Sequence, residues 1–304
     1  MGPRCKKSRA IGISCILLAC ASLSGIFGVS KKDQHVLSPV VLNHFYLTID
    51  PQTYADIERS AFLKEQFAPF ERRTTVRTDR TYTGIYFYGN HTYFEFFEAK
   101  TRPGEKVGDS AVAFGVDYPD SLNKLQTQLT ADPPTLITRQ FKDRQVPWFY
   151  LLSIPGFVAQ SGISSWIMEY HPQFLAEWNP SAGNNSGISR AEILRRYTKV
   201  LPGTPQTPLL EDVTSITIAL DKAAIATMKS SCEKLGLQLQ IQGGDTLFKG
   251  TDFSLQLIPA TQSTRGIQQV EFRVRTMPAK SLEYRFGSHS VLRFEKDNRA
   301  IWTF

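Results

Sequence analysis

A strand-like segment that ends in aspartate occurs three times along this chain, and this repeat constrains the fold more than any other feature. The copies cover residues 44–50, 111–117 and 215–221, and a helix-like stretch follows each of them. An aspartate at the end of a strand can accept hydrogen bonds from the free amides of the next helix, as an N-cap. The repeat therefore predicts a βα unit that is used several times.

Three further strand-like runs, separated by turn residues, follow each predicted helix. In the first unit they cover residues 71–78, 81–90 and 91–99, so the unit has the order βαβββ. A fourth unit starts at residue 266 and leaves little room for a helix. Four units make two pairs, and the sequence thus predicts an α+β fold of tandem paired βαβββ modules in which the second pair is shortened.

The chain of 304 residues is long enough for two domains. Between the predicted pairs, a segment rich in Pro, Gly, Asn and Ser holds one predicted helix, which Ser189 and Glu192 begin as a capping box. We interpret residues 40–178 as a first domain, residues 179–211 as a linker with one helix, and residues 212–304 as a second, degenerate domain.

The N-terminal segment has the composition of an export signal. Basic residues precede an apolar run over residues 10–29, and small residues near its end favour cleavage. We therefore predict a signal peptide or signal anchor over residues 1–32, with Cys20 in a sequence similar to a lipoprotein box. The mature protein would then be periplasmic, secreted or held at a membrane through its N-terminus. It would keep Cys232 alone, which excludes an intrachain disulfide and a thiolate-rich zinc site.

The formal charge of +7 at pH 7 does not indicate a nucleic-acid partner. Six basic residues precede the first acidic one, Asp33, and without them the formal charge of the chain falls to +1. The mature part therefore lacks the excess of basic residues that nucleic-acid binding needs. The sequence also lacks a phosphate-binding glycine loop, a serine nucleophile elbow and a His-Glu-x-x-His motif, so hydrolase and nucleotide-binding functions have no support.

Paired βαβββ modules that carry a histidine in the first strand, here His44, and a glutamate in the fourth, here Glu95, resemble the vicinal oxygen chelate superfamily of glyoxalases and dioxygenases. Residues 40–304 also resemble the glyoxalase-like family DUF5829, in particular at residues 285–294 and in the final Ile-Trp-Thr-Phe. The resemblance implies that each pair of modules curls into a half-open barrel around a site for a small molecule.

The resemblance also implies a divalent metal ion, held by one residue from the first strand and one from the last strand of each module. In the first module these are His44 and Glu95, and in the second Ala111 and Glu169. Alanine cannot bind a metal ion, so we expect His171, two residues beyond Glu169 on the same strand face, to replace it. Imidazole and carboxylate ligands of this kind suit zinc, iron, manganese or nickel.

Each of these residues also has an ordinary structural explanation. His44 can be a hydrogen-bonded strand residue, and Glu169 with His171 can end a strand before the turn at Pro172. Glu95 can line a wet face of the sheet, but a carboxylate among aromatic residues is costly to bury unless it is paired or bound to a metal ion. Glu95 is therefore the most informative of the candidates.

Three functions remain open from the sequence. The first is an exported, metal-dependent lyase, isomerase or oxygenase for a small oxygen-rich substrate, with Glu95 and Glu169 moving protons. The second, which Ala111 favours, is a metal-free module that binds a small ligand in the same barrel. Its predicted pocket walls are Tyr93, Phe97, Trp148 and Tyr150. The third is a structural envelope protein, and in every case we expect membrane contact only through the N-terminal segment; the oligomeric state stays open.

Overall fold

A computed structural model describes residues 40–102, 104–154, 162–174, 189–242 and 245–304, all of which belong to one compact unit. The predicted leader and the first ten residues of the predicted linker lie outside the described residues. Within the described ranges, no helix is both long and apolar enough to cross a membrane.

The first eight strands form one mixed sheet. They are β1 (Val41–Ile49), β2 (Phe70–Val76), β3 (Thr81–Tyr88), β4 (Tyr93–Glu98), β5 (Ser110–Gly115), β6 (Thr135–Phe141), β7 (Arg144–Ser153) and β8 (Ile163–Tyr170). The order across the sheet is β2-β3-β4-β1-β5-β8-β7-β6. Within each module the first strand runs parallel to the last, and the two modules join through the antiparallel pair of β1 and β5. The predicted pair of βαβββ modules is therefore confirmed.

The second sheet repeats this arrangement. Its strands are β9 (Leu210–Leu220), β10 (Gln238–Gln242), β11 (Asp245–Lys249), β12 (Ser254–Pro259), β13 (Gly266–Val274), β14 (Glu283–Phe286), β15 (Ser290–Glu295) and β16 (Arg299–Thr303), in the order β10-β11-β12-β9-β13-β16-β15-β14. In the described chain no helix lies between β13 and β14, which is the predicted shortening of the fourth unit.

In the described ranges, four α-helices accompany the sheets: α1 (Pro51–Arg59), α2 (Ser121–Leu129), α3 (Arg190–Lys199) and α4 (Lys222–Lys234). A π-helical turn (Leu63–Phe67) follows α1. Asp50 and Asp221 cap α1 and α4 as expected, since their carboxylates accept hydrogen bonds from the first amides of these helices. The expected cap at Asp117 is absent, because α2 starts four residues later.

The two sheets share one aromatic core. Trp302 of β16 is fully buried, and its ring centroid lies 5.2 Å from that of Phe96 and 6.0 Å from that of Phe94, both on β4. Phe272 of β13 lies 5.4 Å from Phe94. One face of the first sheet is therefore dry and packed on the second sheet, which leaves the opposite face for a site.

Helix α3, which the sequence places in a linker, packs on the first sheet. Its Leu194 and Tyr197 are buried against tyrosines of β3 and β4, and Ile193 packs against aromatic residues of β7 and β8. The buried guanidinium group of Arg190 donates hydrogen bonds to the carboxylate of Asp117, to the carbonyl oxygen of Leu42 and to the carboxylate of Asp252, which lies between β11 and β12. This helix is thus part of the structure formed by the first sheet.

The first sheet curls until its two edge strands meet. An antiparallel bridge joins Arg77, directly after β2, to Arg139 in β6. The resemblance implies a half-open barrel, whereas this bridge brings the sheet close to full closure. We call strands β1–β8 the first barrel.

We expect Trp302→Ala to lower the free energy of unfolding by about 3–5 kcal/mol, because it leaves a cavity between the two sheets. Tyr118→Ala is the control, since the side chain of Tyr118 is 76% exposed and its removal is expected to cost less than about 0.5 kcal/mol. Urea unfolding measures both values. Equal small losses would contradict a core shared by the two sheets.

Candidate functional site

A cavity of about 250 Å³ lies inside the first barrel, and His44 and Glu95 line it together. His44 is opposite Tyr93 in the pairing of β1 with β4, so Glu95 stands two residues further along the neighbouring strand and on the same face. The Nε2 atom of His44 is 3.8 Å from the Oε1 atom of Glu95. The structure therefore brings these two predicted site residues together.

His44 is held as a neutral imidazole. Its Nδ1 lies 2.9 Å from Oδ1 of Asn43, which makes Nδ1 the protonated nitrogen and leaves Nε2 as an acceptor toward Glu95. The ring stacks on Tyr93 at a centroid distance of 4.4 Å and meets Trp166 edge-on at 5.5 Å. Burial lowers the pKa of His44 to about 3, because the charged form would lose its hydration.

Glu95 is a buried carboxyl group with a raised pKa. Burial raises its pKa from 4.5 to about 7. The positive charges of Arg73 and Arg102 and the hydroxyls of Tyr86 and Tyr93 act in the other direction, but their effect is smaller. Both protonation states are therefore populated near neutral pH. Such a group can donate or accept a proton without a large energetic cost in either direction.

The second module has no counterpart to this pair. In the pairing of β5 with β8, Ala111 is opposite Ser164, just as His44 is opposite Tyr93 in the first module. The position that corresponds to Glu95 is therefore Trp166, two residues after Ser164. The resemblance assigns Glu169 to this place, but the strand register assigns Trp166, and neither alanine nor tryptophan offers a metal ligand.

Glu169 and His171 lie apart from His44. Glu169 points to the other face of β8, where its carboxylate accepts hydrogen bonds from the backbone amides of Asp120 and Leu122 at 3.0 and 3.2 Å. It thereby supplies the N-terminal cap of α2 that Asp117 does not provide. His171 accepts a hydrogen bond from the amide of Gln173, and burial lowers its pKa.

The described residues do not fit a metal centre held by the protein. Nowhere in the described ranges do three or more His, Cys, Asp or Glu side chains form a group that could hold a metal ion. His44 and Glu95 supply two donors, whereas zinc and iron sites of this type use at least three protein ligands. Two donors are too few to fix a metal ion in the position that a chemical step would need.

Three of the four predicted pocket walls line the cavity: Tyr93, Phe97 and Trp148. Tyr150 instead lines a second cavity with Glu169. Sequence reasoning missed other lining residues, among them Tyr46, Trp166, Ser164 and the arginines Arg77, Arg80 and Arg102. The alternation of strand faces gives a signal for Tyr46, two residues after His44, but the arginines lie in turns, where no pattern points inward.

The raised pKa of Glu95 makes folding stability depend on pH. The folded protein holds this proton more tightly than the unfolded chain does. Protonated Glu95 therefore contributes fully to the free energy of unfolding below about pH 4.5, and this contribution is lost as the pH rises through about 7. We expect wild type to lose about 3 kcal/mol relative to Glu95→Gln between about pH 4.5 and about pH 8. Urea unfolding across this range measures the difference, and a constant difference would contradict the buried, protonatable carboxyl group.

The sequence model of the family of unknown function DUF5829 matches residues 42–304. None of the curated proteins matches the chain. Among solved structures, a hypothetical protein from Staphylococcus aureus is 11% identical with a TM-score of 0.47, over 74% of this chain and 88% of that one. The Mn(II)-bound glyoxalase from Novosphingobium aromaticivorans is 6% identical with a TM-score of 0.38, over 77% of this chain and 64% of that one. BphC, a halotolerant catechol dioxygenase, is 10% identical with a TM-score of 0.39, over 87% and 86% of the two chains. Because its sequence matches the family model over most of its length, the chain belongs to the DUF5829 family.

Proposed function

We propose that this protein binds a small organic molecule in the first barrel without a metal ion held by its own side chains. The observation that carries the proposal is the unequal pair of modules. His44 and Glu95 face the cavity from the first module, while Ala111 and Trp166 occupy the matching positions in the second. The barrel thus keeps a cavity but offers two donor groups where a metal ion needs more.

The walls of the cavity suit an organic ligand. Aromatic rings of Phe97, Trp148 and Trp166 provide apolar surface, and a few polar groups converge on the same space. Ligand pockets of this composition commonly have volumes of about 300–1,000 Å³, and a cavity of about 250 Å³ lies just below that range. The ligand is therefore smaller than a typical drug molecule or a dinucleotide.

Metal analysis combined with thermal melting tests this proposal. We expect purified protein to contain no stoichiometric divalent metal ion, and a library of small organic molecules to give hits whose melting shift survives a chelator. At 100 times its dissociation constant, a ligand stabilises the protein by about 2.7 kcal/mol, which is a shift of several degrees.

A variant that fills the cavity tests whether the ligands bind inside it. Ser164→Phe places a ring in the cavity and should abolish the shifts, whereas Thr127→Phe on the exposed side of α2 should preserve them. The proposal would be abandoned if a metal ion bound stoichiometrically through His44, or if the shifts disappeared on chelation.

A second function, proton transfer on the bound molecule, is favoured by the raised pKa of Glu95 next to a neutral imidazole. A carboxyl group with a pKa of about 7 is well matched to general acid–base catalysis at neutral pH. Exchange of solvent deuterium into an enolisable carbonyl ligand would report this activity by NMR. We expect exchange with wild type and none with Glu95→Gln; equal exchange in both would remove Glu95 from this role.

A further inference from the structure

The cavity of the first barrel is lined by more positive than negative side chains. Arg77 and Arg80 reach it from the turn between β2 and β3, and Arg102 reaches it from the turn after β4. Among the described lining residues, Glu95 is the sole acidic group. The lining therefore carries a net positive charge whichever protonation state Glu95 adopts.

Arg102 is fixed in place by its surroundings. The centre of its guanidinium group lies 4.3 Å from the ring centroid of Phe97, 5.1 Å from that of Tyr46 and 5.4 Å from that of Tyr82. On one side its Nη2 is 2.8 Å from the carboxylate of Glu105. Stacking and ion pairing together hold the planar group in one orientation, which lowers the entropic cost of binding a ligand there.

Two residues that line the cavity each carry a buried hydrogen-bond donor for which the described residues offer no partner. Nη1 of Arg102 and Nε1 of Trp166 are both buried, and neither has a hydrogen-bond partner in the described part of the chain. Both groups only donate hydrogen bonds, and they come from opposite modules of the barrel. Buried donors of this kind are rare in folded proteins and call for an explanation, and an acceptor supplied by a ligand is one.

Nearby carboxylates offset part of the positive lining, because Glu105 pairs with Arg102 and Asp79 pairs with Arg77 and Arg80. One of the three positive charges remains while Glu95 is protonated. Asp79 lies outside the cavity lining and binds Arg77 and Arg80 through the same carboxylate. An anionic ligand could balance this remaining charge, as expected for a site completed by an anion.

From these contacts we infer that the ligand of the first barrel is a small carboxylate with a flat apolar body, whose carboxylate is bound by Arg102 and the indole N–H of Trp166. A carboxylate is planar, accepts several hydrogen bonds and matches the fork of a guanidinium group. The rings of Tyr46, Phe97 and Trp148 line the same cavity and suit a flat body. This inference rests on the proposed binding function and names its ligand class.

A set of ligands that differ in one group tests the inference at fixed pH. Calorimetry or thermal melting of the full protein would compare benzoate, benzamide, benzyl alcohol and phenyl phosphate as probes. We expect benzoate to bind about 10- to 100-fold more tightly than benzamide, because a charge-assisted hydrogen bond is stronger than a neutral one. Added salt should weaken benzoate more than benzamide.

Two variants connect this preference to the named groups. Arg102→Gln should reduce benzoate binding to the level of benzamide, and Trp166→Phe, which keeps a ring but removes the donor, should weaken benzoate about fivefold. Arg293→Gln is the matched control, since Arg293 pairs with Glu283 in the second sheet. Melting temperatures without ligand verify that each variant is folded.

The result that overturns the inference is a benzoate affinity no higher than that of benzamide, or a preference for benzoate that both variants retain. Tighter binding of phenyl phosphate would overturn the carboxylate assignment in favour of a phosphate ester. If none of the four probes bound, the inference would fail as well. Library hits that are neutral and bind without metal would then still support the proposed binding function, so the two failures can be told apart.

Discussion

The antiparallel pairing of β1 with β5 is the contact on which the rest of the structure depends. β1 is hydrogen-bonded on both sides, to β4 and to β5. Beyond the register irregularity between Leu42 and His44, its residues alternate between two faces. Phe45, Leu47 and Ile49 enter the dry core shared with the second sheet. The residues between them face the barrel interior, and this places His44 and Tyr46 in the cavity. A shift of one residue in this pairing would exchange core and site.

The repeat in the sequence was sufficient to predict the strands, the modules and their pairing, because each of these follows from local periodicity and capping. The resemblance to the vicinal oxygen chelate superfamily pointed to His44 and Glu95, whose proximity needs only the parallel pairing of the first and last strands of one module. The position of Glu169 could not be predicted in the same way, since it depends on the exact register of β8. That register places Trp166 inside the barrel and leaves Glu169 to cap α2.

Other features depend on contacts between segments that are distant in the sequence. The turns that carry Arg77 and Arg102 have no periodic pattern, so nothing local shows that these side chains line a cavity. Helix α3 was recognisable from its capping box, but its packing on the barrel depends on Tyr197 meeting tyrosines of β3. The sequence alone therefore described α3 as part of a linker, when its buried contacts make it part of the barrel.

Helix α3 also gives the first barrel two unlike ends. Along β3, Tyr88 at one end packs against Tyr197 of α3, while Tyr82 near the other end lines the cavity beside Arg77 and Arg80. A dissolved molecule that approaches from the side of the arginines meets guanidinium groups before it meets the buried imidazole and carboxyl pair. The arginines at this end would thus attract anions and repel cations before a molecule contacts the interior of the barrel.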